Sequence, residues 1–88
     1  MAARVADAVP RGRVAVTGTL TGAGHGRWRT MPAWTAVLDD GSGCLLLVFT
    51  GVRAVPGVVA GARLAVEGTV LAEGTERALW NPRYRFEA

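Results

Sequence analysis

Apolar residues alternate with polar or small residues along two stretches of this chain, residues 13–21 and residues 63–71. In the first stretch Val14, Val16 and Leu20 fall on one side of an extended backbone, and the second stretch repeats the pattern. A period of two indicates a β-strand with one buried face, whereas an amphipathic helix has a period near 3.6. Both stretches therefore predict half-buried β-strands.

Three further segments, residues 28–40, 44–50 and 77–87, are also predicted to be strands. Residues 40–43 read Asp-Gly-Ser-Gly between two apolar runs, which is a strong signal for a hairpin turn. Residues 44–50 are apolar on both faces. The glycines of residues 22–26 predict a loop between the first two strands. The chain is therefore expected to contain five strands.

The gap between the third and fourth predicted strands argues against a helix. Residues 51–61 contain three glycines and a proline, so a loop with one short helical turn is expected there. Gly18 and Gly68 lie in the middle of strands, where glycine permits a bulge or a tight bend. Five bent strands suit a small closed all-β barrel, with an SH3-like barrel as the main alternative architecture.

A chain of 88 residues is long enough for one domain. We expect residues 1–10 to form a short flexible segment and residues 11–88 to form the barrel. No apolar run approaches the roughly 18 residues that span a bilayer, and residues 1–10 lack the continuous apolar stretch of a signal peptide. A cytoplasmic protein without a membrane partner is therefore expected.

Few side chains are of the kinds that catalyse reactions or bind metals. His25 is the only histidine and has no identifiable nucleophile as a partner, so no enzymatic activity is expected. Asp39 and Asp40 precede a glycine turn and are interpreted as turn residues rather than metal ligands. Cys44, the only cysteine, lies in an apolar run and is expected to be buried. These residues predict neither a cofactor nor a metal site.

The ten basic residues are all arginines, and the net charge is +3. Together with the abundance of alanine, glycine and valine, this usage indicates the base composition of a GC-rich bacterial genome. It is therefore not an argument for nucleic-acid binding. The charge is compatible with a polyanionic partner without requiring one.

Five blocks of the sequence form an ordered set: residues 14–20, 36–43, 45–49, 59–70 and the closing Asn81-Pro82-Arg83-Tyr84. In order and spacing this set resembles the OB-fold nucleic-acid-binding family. It is similar in particular to the wedge domain of the RecG branched-DNA helicase and to small stand-alone actinobacterial OB-fold proteins. The resemblance implies a five-stranded Greek-key OB-fold barrel in which the helix between strands 3 and 4 is reduced to a loop or a short turn.

The resemblance also implies a largely sequence-independent binder of single-stranded DNA or RNA. OB folds hold single strands on aromatic platforms flanked by positive charge, across strands 2 and 3 and the loops beside them. Arginines would contact phosphates, and Trp28 is the best candidate for an exposed stacking ring. The candidate nucleic-acid-binding residues are Arg27, Trp28, Arg29, Trp34, Phe49, Arg53, Arg83, Tyr84 and Arg85.

Other roles for these residues remain open at this stage. Phe49 is as compatible with core packing as with stacking on bases, and Trp34 is as compatible with packing under a loop as with stacking. Trp80 and Tyr84 are predicted to share one face of the last strand, with packing in the core or at the barrel end as their simplest role. Arg83 and Arg85 are expected to point to one face together, where contact with solvent is their simplest role.

The alternative function is a protein-interaction or assembly module, since an edge strand can pair with another chain. A homo-oligomer or a protein partner is expected in that case. A third role, as an accessory to a membrane transporter or to the product of another neighbouring gene, would leave no signal in the sequence.

Overall fold

The computed structural model describes residues 1–88 with the exception of the Glu73 side chain. Strands account for more than half of the chain, and the described residues form no α-helix. A single 3₁₀ turn, Val5–Asp7, precedes the strands. The strands are β1 (Arg13–Trp28), β2 (Met31–Asp39), β3 (Cys44–Thr50), β4 (Arg63–Glu73), β5 (Glu76–Trp80) and β6 (Arg83–Phe86).

Five of the strands close into a ring in the order β1-β2-β3-β5-β4, because β4 also pairs with β1. Paired strands in the ring are antiparallel except β3 and β5, which are parallel. β6 lies beside the ring and, within the described chain, pairs only with the first part of β4. The predicted all-β class and the closed arrangement of five strands are therefore confirmed.

β1 is longer than the sequence predicts and includes the glycine-rich segment. Residues 22–26 pair with β2, and the turn between the two strands is Arg29-Thr30, so the prediction of a loop here is wrong. Sheet pairing outweighs the poor strand propensity of glycine, because strand preference depends strongly on context. At Gly26 glycine is also the residue that fits, since a Cβ atom there would lie only 3.0 Å from the Thr35 hydroxyl.

β1 bends between its pairing with β4 and its pairing with β2. The register shifts between Leu20 and Gly22, which is a β-bulge. At Gly18 a Cβ atom would lie 2.5 Å from the carbonyl oxygen of Asp39, so glycine is needed where the two backbones approach. The bend lets one long strand serve two neighbours, and this closes the ring.

The last predicted strand is divided into β5 and β6 at Asn81 and Pro82. Asn81 has a φ of 49°, in the left-handed region where asparagine is tolerated better than most residues. The Thr50 N–H donates to the Oδ1 of Asn81 at 2.9 Å, and the Nδ2 of Asn81 donates to the Thr50 hydroxyl at 2.9 Å. The break shifts the register of the chain against β4 by one residue.

The core fills the ring, and residues 51–62 close one end of it. These residues form turns and no helix, as the sequence predicts, and they bury Val55 and Val58. Both valines belong to the same apolar cluster as the inward-facing residues of the strands. The strand residues of that cluster are Val14, Val16, Leu20, Ala36, Leu38, Leu45, Leu47, Phe49, Leu64, Val66, Val70 and Leu79.

The N-terminal segment also joins this cluster. Val5 is 1% exposed, and Ala8 is buried with it. The Val5 N–H donates to a carboxylate oxygen of Asp40 at 2.9 Å, and Arg77 donates to the Val5 carbonyl at 2.9 Å. Ala2 forms a parallel bridge with Val14. Through these contacts Ala2, Val5 and Ala8 pack against the ring, whereas Met1 and Val9 are exposed.

Candidate functional site

The predicted binding residues fall in different parts of the structure rather than on one face. One group is at the tip of the β1–β2 hairpin, a second is an aromatic cluster at the ring end, and a third is the outer face of β6. Arg53 lies apart from these groups in residues 51–62, where it is exposed. The groups are Arg27, Trp28 and Arg29; Trp34, Phe49 and Tyr84; and Arg83 and Arg85.

Trp28 is 7% exposed, so the prediction that it offers an exposed ring is wrong. Its ring lies in a small apolar cluster with Ala33, Val48 and Ala78, on the outer face of the sheet. The guanidinium carbon of Arg29 is 5.8 Å from the ring centroid. β3 is apolar on both faces, and its outer face needs a cover to be kept from water. Trp28 supplies that cover and presents little surface to a base.

Trp34 and Phe49 pack with the main core. The Trp34 Nε1 donates to the Val58 carbonyl at 3.0 Å, which ties β2 to residues 51–62. The His25 ring meets Trp34 edge-on with 6.1 Å between centroids. Phe49 therefore packs in the core, and Trp34 packs under residues 51–62 and against that core.

Two aromatic rings of β6 are partly exposed to solvent. Tyr84 is 40% exposed and Phe86 is 53% exposed. Tyr84 meets Phe49 edge-on at 5.5 Å and meets Phe86 edge-on at 5.9 Å, so the core fixes the orientation of the pair. Phe86 was not among the predicted residues, although its spacing of two from Tyr84 was visible in the sequence.

Trp80 does not share a face with Tyr84, and it does not pack in the core. Trp80 is opposite Val48, whose side chain belongs to the outer cluster, whereas Tyr84 is opposite Val66 of the main core. Trp80 is 48% exposed. The prediction of a shared, packed face is wrong because the register shift at residues 81–82 exchanges the two faces of the strand.

Arg83 and Arg85 do share one face, as the sequence predicts, and they line an open groove of about 540 Å³ across β1, β4 and β6. The strand register places Ala15, Glu67 and Arg83 in one row. Arg85 is in the next row, beside small residues of β4 and β1. Arg13 and Arg63 also point outward, and they lie on opposite sides of these two rows along the strand direction. We call this surface the arginine groove; its outward-facing residues are Arg13, Ala15, Thr17, Arg63, Ala65, Glu67, Arg83 and Arg85.

The arginines of this groove are held only by exposed partners. Arg13 Nη2 is 3.2 Å from the Glu67 carboxylate, and Arg85 Nε is 3.4 Å from that of Glu87. Arg63 makes a long hydrogen bond of 3.4 Å to a threonine hydroxyl. The guanidinium of Arg83 makes no hydrogen bond or ion pair with the described side chains. Exposed pairs of this kind contribute about 0–1 kcal/mol, so a phosphate can displace them at little cost.

Sequence reasoning missed Arg13 and Arg63. Both are at outward positions of alternating strands, next to the inward residues Val14 and Leu64, and this signal was available. The pairing of β1 with β4, which brings the two arginines to one surface with Arg83, is not a local pattern.

The residues considered for chemistry have structural roles or stand alone. The Asp40 carboxylate accepts hydrogen bonds from the Ser42 N–H at 2.9 Å and from the Ser42 hydroxyl at 2.7 Å, as expected of a turn residue. Cys44 is exposed, so its predicted burial is wrong: its side chain points outward where β3 begins. In the described part of the chain, no group of three or more potential ligands could hold a metal ion. No helix among the described residues has the length and apolar character to cross a membrane.

Comparison with protein-family models gives no match, and comparison with curated proteins gives no match either.

Proposed function

We propose that the ring is an OB-fold barrel. The strand order β1-β2-β3-β5-β4, the parallel contact of β3 with β5, and the bent β1 that pairs on both sides support this assignment. Residues 51–62, which close the ring with Val55 and Val58, take the place of the helix that an OB fold has between its third and fourth strands.

The function that the surface supports best is binding of single-stranded DNA or RNA, largely independent of sequence and without catalysis. The observation that carries the proposal is the composition of β6. Within four residues this strand presents Arg83 and Arg85 on the arginine groove, and Tyr84 and Phe86 half-exposed on its other side. Since β6 pairs on one side only within the described chain, a bound strand can reach both sides from the open edge.

Binding would proceed by exchange of partners. Phosphates replace the weakly held carboxylate and hydroxyl partners of the groove arginines, and counterions are released from the nucleic acid. Bases that turn toward the open edge stack on Tyr84 or Phe86, and each stacked base contributes about 1–3 kcal/mol. Neither contact reads the edge of a base, so little sequence preference is expected.

The proposal is tested by titrating labelled oligo-dT and oligo-U with the protein at several salt concentrations and measuring fluorescence anisotropy. Affinity should fall steeply with salt. The double variant R83Q/R85Q should weaken binding and reduce the slope of log K against log salt by about 1.4, because each phosphate contact to a single strand contributes about 0.7.

A matched control separates local contacts from net charge. R4E lowers the net charge by the same two units, and Arg4 is exposed and lies outside the groove. Binding by R4E should stay close to that of the wild type. The proposal is rejected if the wild-type protein binds neither oligonucleotide, or if R4E loses as much affinity as R83Q/R85Q.

A second candidate is a protein-interaction module that uses the open edge of β6. The observation that favours it is that β6 pairs with β4 alone among the described strands. Two features oppose it, since β6 has four residues and two of them are arginines, and short charged edges resist strand addition. Light scattering after size-exclusion chromatography tests the homo-oligomeric form: a concentration-dependent dimer would support it, and a monomer at high concentration would exclude it.

A further inference from the structure

We infer that the phosphate backbone of a bound strand runs along β4, between β6 and β1, held by Arg63 and Arg13 at the two ends of its path, and that Glu67 limits the affinity by competing with phosphate for Arg13. This inference rests on the proposed function and adds to it a path, two contact residues and a residue that opposes binding.

The floor of the arginine groove is made of small side chains. Ala15, Thr17 and Ala65 are adjacent across β1 and β4, and Arg83 and Arg85 continue the same rows on β6. Neighbouring strands are about 4.8 Å apart, so the floor is roughly 10 Å wide between β6 and β1. Apart from Glu67, the described side chains on this floor are small, which allows a sugar-phosphate backbone to approach the sheet closely.

Arg13 and Arg63 mark the two ends of this floor. Arg13 is opposite Thr69, and Arg63 is six residues earlier on β4, which corresponds to about 20 Å along the strand. Arg83 and Arg85 lie between these limits on the neighbouring strand. The four cations therefore frame a path long enough for several phosphates, rather than a pocket for a single anion.

Glu67 is the acidic residue inside this frame. It lies in one row with Ala15 and Arg83, and its carboxylate is 3.2 Å from Arg13 Nη2. Both side chains of this ion pair are about half exposed, and such pairs contribute little to folding. A carboxylate at this position repels phosphate and occupies Arg13, so its removal should strengthen binding.

The inference is tested with single variants in the same anisotropy titration of oligo-dT over a series of salt concentrations. R13Q and R63Q should each weaken binding and lower the salt slope by about 0.7. E67Q should bind about threefold more tightly at low salt, because the free energy of one exposed charge interaction corresponds to an affinity change of about this size. E76Q is the matched control: it makes the same change in charge on an exposed residue of β5, and it should bind like the wild type. Thermal unfolding of each variant confirms that the fold is intact.

The outcomes separate the inference from the proposed function. If the wild type binds and R83Q/R85Q does not, but R13Q, R63Q and E67Q all behave like the wild type, the path and the role of Glu67 are wrong and the proposed function stands. If E76Q strengthens binding as much as E67Q, the effect is one of net charge and the inference is overturned. If the wild type does not bind any oligonucleotide, the proposed function fails and the inference fails with it.

Discussion

Gly18 and Gly24 both lie in β1, but packing requires only the first of them to be glycine. A Cβ atom at Gly18 would lie 2.5 Å from the carbonyl oxygen of Asp39 and 2.9 Å from its carbonyl carbon, whereas one at Gly24 would meet nothing within 4 Å. The obstructing atoms at Gly18 belong to the backbone of β2. They cannot move without disturbing the pairing of β1 with β2, which sets the size of the ring.

We therefore expect G18A to lower the free energy of unfolding by about 1–3 kcal/mol, the usual range for overpacking at one site. G24A is the control in the same strand, and it should change the stability by less than about 1 kcal/mol, with a gain expected from the lower chain entropy of alanine. Urea denaturation of the two variants measures both effects. Equal destabilisation would show that the close approach to Asp39 has no energetic consequence.

At the scale of elements, the turn between β2 and β3 holds the N-terminal segment through one carboxylate. Asp40 accepts hydrogen bonds from the N–H groups of Val5 and Ser42, each at 2.9 Å, and from the Ser42 hydroxyl. Partial burial opposes ionisation, but these hydrogen bonds outweigh it and hold the pKa of Asp40 below its ordinary value of 3.8. The charged form of this side chain therefore stabilises the folded state.

The sign of the pH dependence follows from that lowered pKa. The stabilisation by Asp40 is complete above the ordinary carboxyl pKa, and it is lost as the pH falls through the lower pKa of the folded state. D40N should lower the stability near neutral pH by about 1–2 kcal/mol. Its melting temperature should also fall less than that of the wild type on acidification below about pH 4. D7N, at an exposed acid of the 3₁₀ turn, should retain the wild-type acid sensitivity, and an identical profile for D40N and the wild type would contradict the assignment.

Elements were predictable where the signal was local. The alternation of residues 13–21 and 63–71 and the Asp-Gly turn depend on neighbouring residues, and the structure contains them. The glycine-rich residues 22–26 were misinterpreted because pairing with β2, a tertiary interaction, decides their conformation. The burial of Trp28 follows from the apolar outer face of β3, which alternation along β1 does not reveal.

At the scale of the whole molecule, the ring has two different outer faces. Trp28 covers the apolar outer face of β3 and β5. The arginine groove lies on the outer face of β1, β4 and β6. Arg83 and Arg85 could be placed on one face from their spacing alone. Their neighbours Arg13 and Arg63 could not be assigned to that face, since they are separated from β6 by many residues and meet it only through the closure of the ring. The candidate site therefore depends on the pairing of strands that are far apart in the sequence.

The N-terminal segment also belongs to the folded molecule, because it adds side chains to the core inside the ring. Val5 is 1% exposed and lies in the main core, whereas Val9 of the same segment is 60% exposed. V5A should lower the free energy of unfolding by about 1–3 kcal/mol, because it removes buried methyl groups and leaves a cavity. V9A should change it by no more than about 0.5 kcal/mol. Urea denaturation followed by tryptophan fluorescence measures the difference, and equal stability of the two variants would mean that the segment is not part of the folded core.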